Sequence, residues 1–216
     1  MTPFLLVLSA PSGGGKTTIA RALLEARDDV EFSVSATTRQ PRPSEVEGRD
    51  YRFISRETFQ QAVQAGEFLE WAEYSGQLYG TLEAEIRRIL QAGRHAVLDI
   101  EIHGARRVRE RAANVVSIFI LPPSIETLTQ RLRQRSTEKP GQMAARLRRA
   151  VEEIGEAAEY DYIVINEDRT QAVADVARIL DAEAHRPSRL SGIEELLNDL
   201  RDGLTQEAKA AAQRGE

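Results

Sequence analysis

The 216-residue chain contains no cysteine. Disulfides, thiolate metal sites and cysteine nucleophiles are therefore excluded. No apolar run approaches the ~20 residues that a helix needs to span a bilayer. The short run at residues 5–8 has no basic segment before it, so no signal sequence is expected. Positive charge is not in excess: the net charge is −5, which gives no global attraction to nucleic acid or to an anionic membrane. Internal repeats are absent. What remains is a composition of 41% hydrophobic and 29% charged residues, ordinary for a soluble globular protein. The length suits one sizeable core, or one core with inserted lobes. A cytoplasmic protein is expected.

The richest stretch is Ala10-Pro11-Ser12-Gly13-Gly14-Gly15-Lys16-Thr17-Thr18. An apolar run, Phe4-Leu5-Leu6-Val7-Leu8, leads into it, and Ile19, Ala22, Leu23 and Ala26 follow at helical spacing. Strand, glycine-rich loop and helix are the context of a phosphate-binding P-loop. Glycines let several backbone N–H groups point into one concavity, and the helix N-terminus adds positive potential. Lys16 can then reach the β- and γ-phosphates, and the Thr17 hydroxyl can sit on magnesium. The strict pattern has Gly where this chain has Ala10, which is tolerable if its φ stays negative. The alternative is an ordinary glycine-rich turn, but strand, Gly-Lys-Thr and helix agree on the P-loop.

Residues 30–35 read as a strand, with Val30, Phe32 and Val34 alternating. Residues 35–53 follow, where two prolines and a glycine forbid one regular element across the stretch. Arg39, Arg42 and Tyr51 offer donors suited to a phosphate dianion. On chemistry alone, a solvated basic loop is an equal reading. Further on, Ala96-Val97-Leu98-Asp99-Ile100 is a buried strand ending in a carboxylate, where P-loop enzymes orient magnesium or its waters; a helix N-cap is the alternative for Asp99. Between Arg131 and Arg149 stand seven basic residues and one acid, Glu138, with a flexible break at residues 136–141. In an acidic chain this local excess suits a hinged basic lid over phosphates. Buried strands alternating with helices argue for a parallel sheet with helices on both faces.

Thr38-Arg39, Arg42, Glu45, Gly48, Tyr51 and Phe53 together resemble the GMP-binding signature of guanylate kinases, and residues 9–17 resemble their ATP-phosphate loop. The similarity continues in matching order to about residue 185. It implies an α/β fold: a P-loop NTPase core with a parallel sheet flanked by helices, plus a GMP-binding lobe and a helical lid. By that likeness the core comprises residues 1–35, 83–130 and 150–186, the lobe 36–82 and the lid 131–149. Residues 187–216 form an extension: an amphipathic helix carrying Ile193, Leu196, Leu197, Leu200 and Leu204, then a polar tail from Glu207, expected to be disordered.

The implied reaction is transfer of the γ-phosphoryl group of MgATP to GMP or dGMP. ATP would be held by Ala10, Pro11, Ser12, Gly13, Gly14, Gly15, Lys16, Thr17, Thr18 and Arg131. GMP would be held by Ser35, Arg39, Arg42, Glu45, Tyr51, Glu70, Tyr79, Thr81 and Asp99, with Glu70 reading the base. Lys16, Arg135 and Arg146 would be catalytic, and Thr17 would ligate magnesium, with Asp99 acting through water. No nucleic-acid or membrane partner is implied, and the chain is expected as a monomer or homodimer. Two departures stand out: the family usually has Asp at Glu101 and Gln at His103. Two rivals remain open at this point: a P-loop kinase for another phosphate, such as a phosphorylated ribose, and a non-catalytic phosphopeptide-binding module of the scaffold kind. The second usually has a degraded P-loop, whereas Gly13, Gly15, Lys16 and Thr17 are intact here.

Overall fold

The computed structural model describes residues 1–74, 76–134 and 142–214. The expected catalytic Arg135 lies outside the described residues. By internal contacts the chain forms two units, residues 3–179, and residues 1–2 with 180–216.

The larger unit is built on two sheets. The first holds β1 (Leu5–Ser9), β2 (Val30–Phe32), β7 (His95–Asp99), β8 (Val115–Leu121) and β9 (Tyr162–Ile165), in the order β2-β7-β1-β8-β9. All of its pairings are parallel, with Leu5 opposite both Ala96 and Val115. Parallel strands are covered on both faces, so they read as continuous apolar runs rather than alternations. Every residue of β1 is buried. Around the strands run helices α1 (Lys16–Ala26), α3 (Glu83–Gln91), α4 (Ile102–Arg111), α5 (Ile125–Gln134) and α6 (Gln142–Gly155). Ser124 starts α5, its hydroxyl accepting from the Thr127 N–H at 3.2 Å.

The second sheet holds β3 (Ala36–Thr37), β4 (Arg52–Phe53), β5 (Phe68–Tyr74) and β6 (Gln77–Leu82), in the order β4-β3-β6-β5. Its own small core contains Ala36, Phe59, Phe68 and Leu78. Phe59, from α2 (Arg56–Gln64), stacks on Phe68 with ring centroids 4.4 Å apart. The strand expected over residues 30–35 does not run through: β2 ends at Phe32, Ser33 still donates to the Val97 carbonyl, and Ala36 pairs in the second sheet. The burial does not alternate either: Glu31 and Phe32 are both half-buried and Ser33 and Val34 both buried, because the chain crosses from one sheet to the other here.

In the smaller unit, Arg189 is buried and ion-paired with Glu183, which also binds Arg186 at 2.9 Å. Helix α7 (Arg169–Ala184) runs across the boundary between the units, and α8 (Ile193–Arg214) follows. The polar stretch from Glu207, expected to be disordered, instead continues α8 to Arg214. Its Ala, Lys and Gln residues are strong helix formers even without an apolar face. Leu196, Leu197, Leu200 and Leu204 are exposed along α8.

Candidate active site

The carboxyl ends of β1 and β7 lie side by side in the parallel sheet, where open α/β sheets bind their ligands. From β1 the chain enters the glycine-rich loop, which closes with the Gly14 N–H donating to the Pro11 carbonyl at 2.7 Å. Gly13 and Gly15 have φ of 85° and 95°, the left-handed region that favours glycine. A Cβ at Gly15 would stand 2.4 Å from Asn166 Nδ2, and one at Gly14 would stand 2.8 Å from the Ala10 methyl. The loop is thus packed tightly around Ala10, the position where the strict motif has glycine.

Lys16 opens α1 and turns back across the ends of the strands. Its ammonium donates to the Ile100 carbonyl at 2.8 Å, pairs with Asp99 at 2.8 Å, and has Glu101 at 3.7 Å. Burial alone would drive this ammonium below its ordinary pKa, but Asp99 and Glu101 outweigh burial and hold it above. The Thr17 hydroxyl donates to the second Asp99 oxygen at 2.7 Å. Asp99 therefore does not cap α4, whose N-cap is Glu101. A threonine hydroxyl beside a carboxylate is a hard oxygen pair of the kind magnesium takes, with phosphate and water completing the shell. Among the described residues there is no cluster of three or more His, Asp or Glu that could hold a metal.

Behind the loop, Arg131 on α5 donates to the Gly14 carbonyl at 3.5 Å and to the Asn166 carbonyl at 3.2 Å, and Asn166 Nδ2 donates to the Gly14 carbonyl at 2.9 Å. Arg131 thus reaches the loop at the Gly14 carbonyl.

The second sheet gathers the remaining expected residues. Arg39 makes a bidentate pair with Glu45, at 2.9 and 2.8 Å, and its guanidinium lies over the rings of Tyr51 and Phe53. That pair holds the Glu45 carboxyl below its ordinary range. The Arg42 backbone N–H donates to Glu45 at 2.8 Å while its side chain is exposed. Tyr51 and Tyr79 meet edge to face with centroids 6.0 Å apart, and burial pushes the Tyr51 hydroxyl up in pKa. Ser35 is half-buried, its carbonyl accepting from the Arg52 N–H at 2.9 Å.

Glu70 is 4% exposed, and its Oε1 accepts from the Thr81 hydroxyl at 2.7 Å. Burial raises its pKa, opposed by Thr81 and then by the charge of Arg107. Gly104 on α4 backs this carboxylate: a Cβ there would come within 2.7 Å of Glu70 Oε2.

On α6, Arg146 is half-buried, Arg148 is exposed, and Arg149 stacks 4.3 Å over the Tyr74 ring. Sequence reasoning singled out neither Gly104 nor Glu153. Glu153, on α6, is buried and accepts from the Ser12 N–H at 2.8 Å. Burial, then the neighbouring Glu101 carboxyl, push its pKa up to about 7 against the pull of the Ser12 N–H. The available signal for Glu153 was an acid three residues after Ala150, on the inward side of α6. His103, one of the two departures, is exposed.

Comparisons with known proteins show the family. A sequence profile of the family described as "Guanylate kinase" matches residues 3–183. The guanylate kinase of Symbiobacterium thermophilum is 47% identical over 185 residues, covering 86% of this chain and 88% of that protein. That of Nitrobacter hamburgensis is 45% identical over 201 residues, covering 93% and 92%. Among solved structures, the guanylate kinase from Anaplasma phagocytophilum superposes with a TM-score of 0.76 at 37% identity, covering 92% of this chain and 95% of that one.

Proposed function

The chain belongs to the guanylate kinase family and transfers a phosphoryl group from ATP to GMP, and from that premise we propose how its residues divide the work. The observation that carries the proposal is the convergence of Lys16, Thr17 and Asp99 at the carboxyl ends of β1 and β7. The loop of residues 10–18 receives the ATP phosphates on its N–H groups, with Lys16 exchanging part of its contact with Asp99 and Glu101 for phosphate oxygens. Thr17 and Asp99 would hold Mg²⁺, which supplies charge neutralisation on the phosphates when bound.

Around the second sheet Arg39, Arg42, Tyr51 and Tyr79 hold the GMP phosphate, with Glu45 serving that site by orienting Arg39, while Glu70, Thr81 and Ser35 hold guanine. Arg39 is already paired with Glu45, so it is oriented before GMP arrives. A phosphate oxygen of GMP attacks the γ-phosphorus of ATP. The new P–O bond forms as the bond to the β–γ bridging oxygen breaks, and GDP and ADP result. The attacking oxygen is already anionic, so the transfer needs positioning and neutralisation rather than a general base. Arg131, Arg135 and Arg146 serve the neutralisation. Residues 36–82 act as the GMP lobe and 131–149 as the lid. The enzyme works on GMP and dGMP of the cytoplasmic nucleotide pool, as a monomer or homodimer.

A coupled ADP-release assay across GMP, dGMP, AMP and UMP tests this reading. Preference for a non-guanine acceptor would overturn it. Arg146→Ala is expected to lower kcat by about 100-fold while changing GMP affinity far less, because an interaction made in the transition state is lost from kcat. Arg148→Ala, at an exposed position on the same helix, should stay within about twofold, as surface substitutions usually do. Equal losses would replace the lid assignment with a diffuse charge effect.

Gly104→Ala separates the two nucleotide sites. Alanine should favour α4 by about 1 kcal/mol over glycine, yet the new methyl would press on Glu70 Oε2. The expected outcome is a KM for GMP raised by about tenfold, the order of one displaced charge-assisted hydrogen bond, with KM for ATP unchanged and thermal stability maintained. Parallel changes in both KM values would detach Gly104 from the base site.

A further inference from the structure

Glu153 is 2% exposed, yet it belongs to none of the roles above. A buried carboxylate is costly unless its oxygens are satisfied. Here one oxygen accepts from the backbone N–H of Ser12, 141 residues earlier in the chain. Ser12 precedes the two left-handed glycines of the loop, Gly13 and Gly15. The N–H it offers is fixed by nothing local: the turn within the loop uses Gly14 and Pro11 instead.

The placement of Glu153 on its helix matters as much as the bond. Arg149 and Arg146 precede it by four and seven residues, so all three share one face of α6. Arg149 reaches the second sheet through Tyr74. Ala150 is buried with Leu128 and Leu132 of α5, and Leu132 in turn lies against Gly13. The helix thus touches the glycine-rich loop directly through Glu153 and indirectly through Leu132, while Arg149 lies over Tyr74 of the second sheet.

We propose that Glu153 is a positioning residue for ATP: its carboxyl oxygen fixes the Ser12 amide and so holds the phosphate loop in register with the arginine face of α6. The inference rests on reading residues 10–18 as the ATP loop. Without the acceptor, the half-buried Ser12 N–H loses the partner that ties the loop to α6, and the loop is free to turn toward solvent to satisfy it. The N–H groups and Lys16 that follow turn with it, and displacements of about 1 Å are enough to cost a phosphoryl-transfer site dearly. GMP binds on the other sheet and should register little of this.

Steady-state kinetics of wild type, Glu153→Ala, Glu153→Asp and Glu153→Gln, varying each nucleotide in turn, test the proposal. Glu153→Ala removes the acceptor, and Glu153→Asp withdraws it by one methylene. Both should raise KM for ATP by about tenfold or more, with KM for GMP within about twofold. Glu153→Gln keeps an oxygen at the same reach and should recover most of the loss. Amide hydrogen exchange at Ser12 is the second readout: protected in wild type and Glu153→Gln, fast in Glu153→Asp and Glu153→Ala. A merely structural role predicts falling stability with both KM values moving together.

The proposal is overturned by an unchanged KM for ATP in Glu153→Asp and Glu153→Ala, by equal rises for both nucleotides, or by a Glu153→Gln enzyme as impaired as Glu153→Ala. If Glu153→Ala does not fold, Glu153→Asp against Glu153→Gln decides, because protected Ser12 exchange in Glu153→Asp overturns it as well. Failure of the wild-type chain to turn over ATP with GMP would strike the functional reading instead, and is seen before any variant is compared.

Discussion

Lys16→Met should lower kcat by about 10²–10³-fold or more, while GMP affinity measured by calorimetry changes by less than about threefold. Methionine keeps most of the length of the side chain and removes only the ammonium. That ammonium lies 2.8 Å from Asp99 and 3.7 Å from Glu101. In the variant the two carboxylates lose their shared cation, and Asp99 keeps only the Thr17 hydroxyl among these contacts. The site therefore becomes more negative where ATP brings its most charged end, so ATP affinity should also fall. In the proposed division of roles GMP is bound chiefly around the second sheet, where Tyr51 and Glu70 feel the Lys16 charge as a lesser influence than their own burial, and this weak coupling is what the calorimetry reads. A variant with near-normal turnover would remove the loop from the mechanism. One that lost GMP affinity to the same degree would show that the two nucleotides share a single charged cavity.

The parts of this site that were legible in the sequence are those made locally. Strand, loop and first helix turn are contiguous, so the glycines, Lys16 and Thr17 could be placed from their spacing. Asp99 was legible because an apolar strand ends on it. Residues 68–74 of the second sheet could be read as a strand from the sequence itself, but β3 and β4 could not: they have two residues each, too short for any periodicity. The strand at residues 30–35 was overextended because burial continues where the hydrogen-bond partners change. Glu153 and Gly104 were missed because their importance comes from groups 141 and 34 residues away in the chain, namely the Ser12 N–H and Glu70 Oε2. Nothing in the neighbourhood of Gly104 distinguishes it from an unfavourable residue in a basic helix. Glu101, where the family usually has Asp, stands beside both Lys16 and Glu153.

Glu70→Gln should lose GMP efficiency by about 10- to 100-fold and narrow the preference for GMP over AMP, measured as a ratio of kcat/KM values at equal magnesium. Guanine presents two neighbouring donors, N1–H and the exocyclic N2–H₂, and a carboxylate accepts both through charge-assisted bonds. The Thr81 hydroxyl donates to Glu70 Oε1 at 2.7 Å, so it bears on how glutamine would sit. The bond is kept as it stands when the amide oxygen takes the place that accepts from Thr81, and in the reverse placement the hydroxyl accepts while only one amide end is left to accept from guanine. In the first placement the amide nitrogen occupies the position of Oε2, backed by Gly104. Guanine donors would meet an amide donor there, a mismatch worth about 1–3 kcal/mol. Adenine has an acceptor at N1 and no N2 group, so the same amide would suit it better than the carboxylate does.

The pH dependence gives an independent check. Burial, opposed by Thr81, raises the Glu70 pKa above its ordinary value. Base reading needs the ionised form, so in the wild type KM for GMP should rise as pH falls toward that raised value. Glu70→Gln should lose that share of the limb and keep only the one set by the GMP phosphate's own second ionisation, at a pKa of about 6. An unchanged GMP-to-AMP ratio, with the acid limb intact in the variant, would mean that another group reads the base and that the buried carboxylate serves only to hold Thr81.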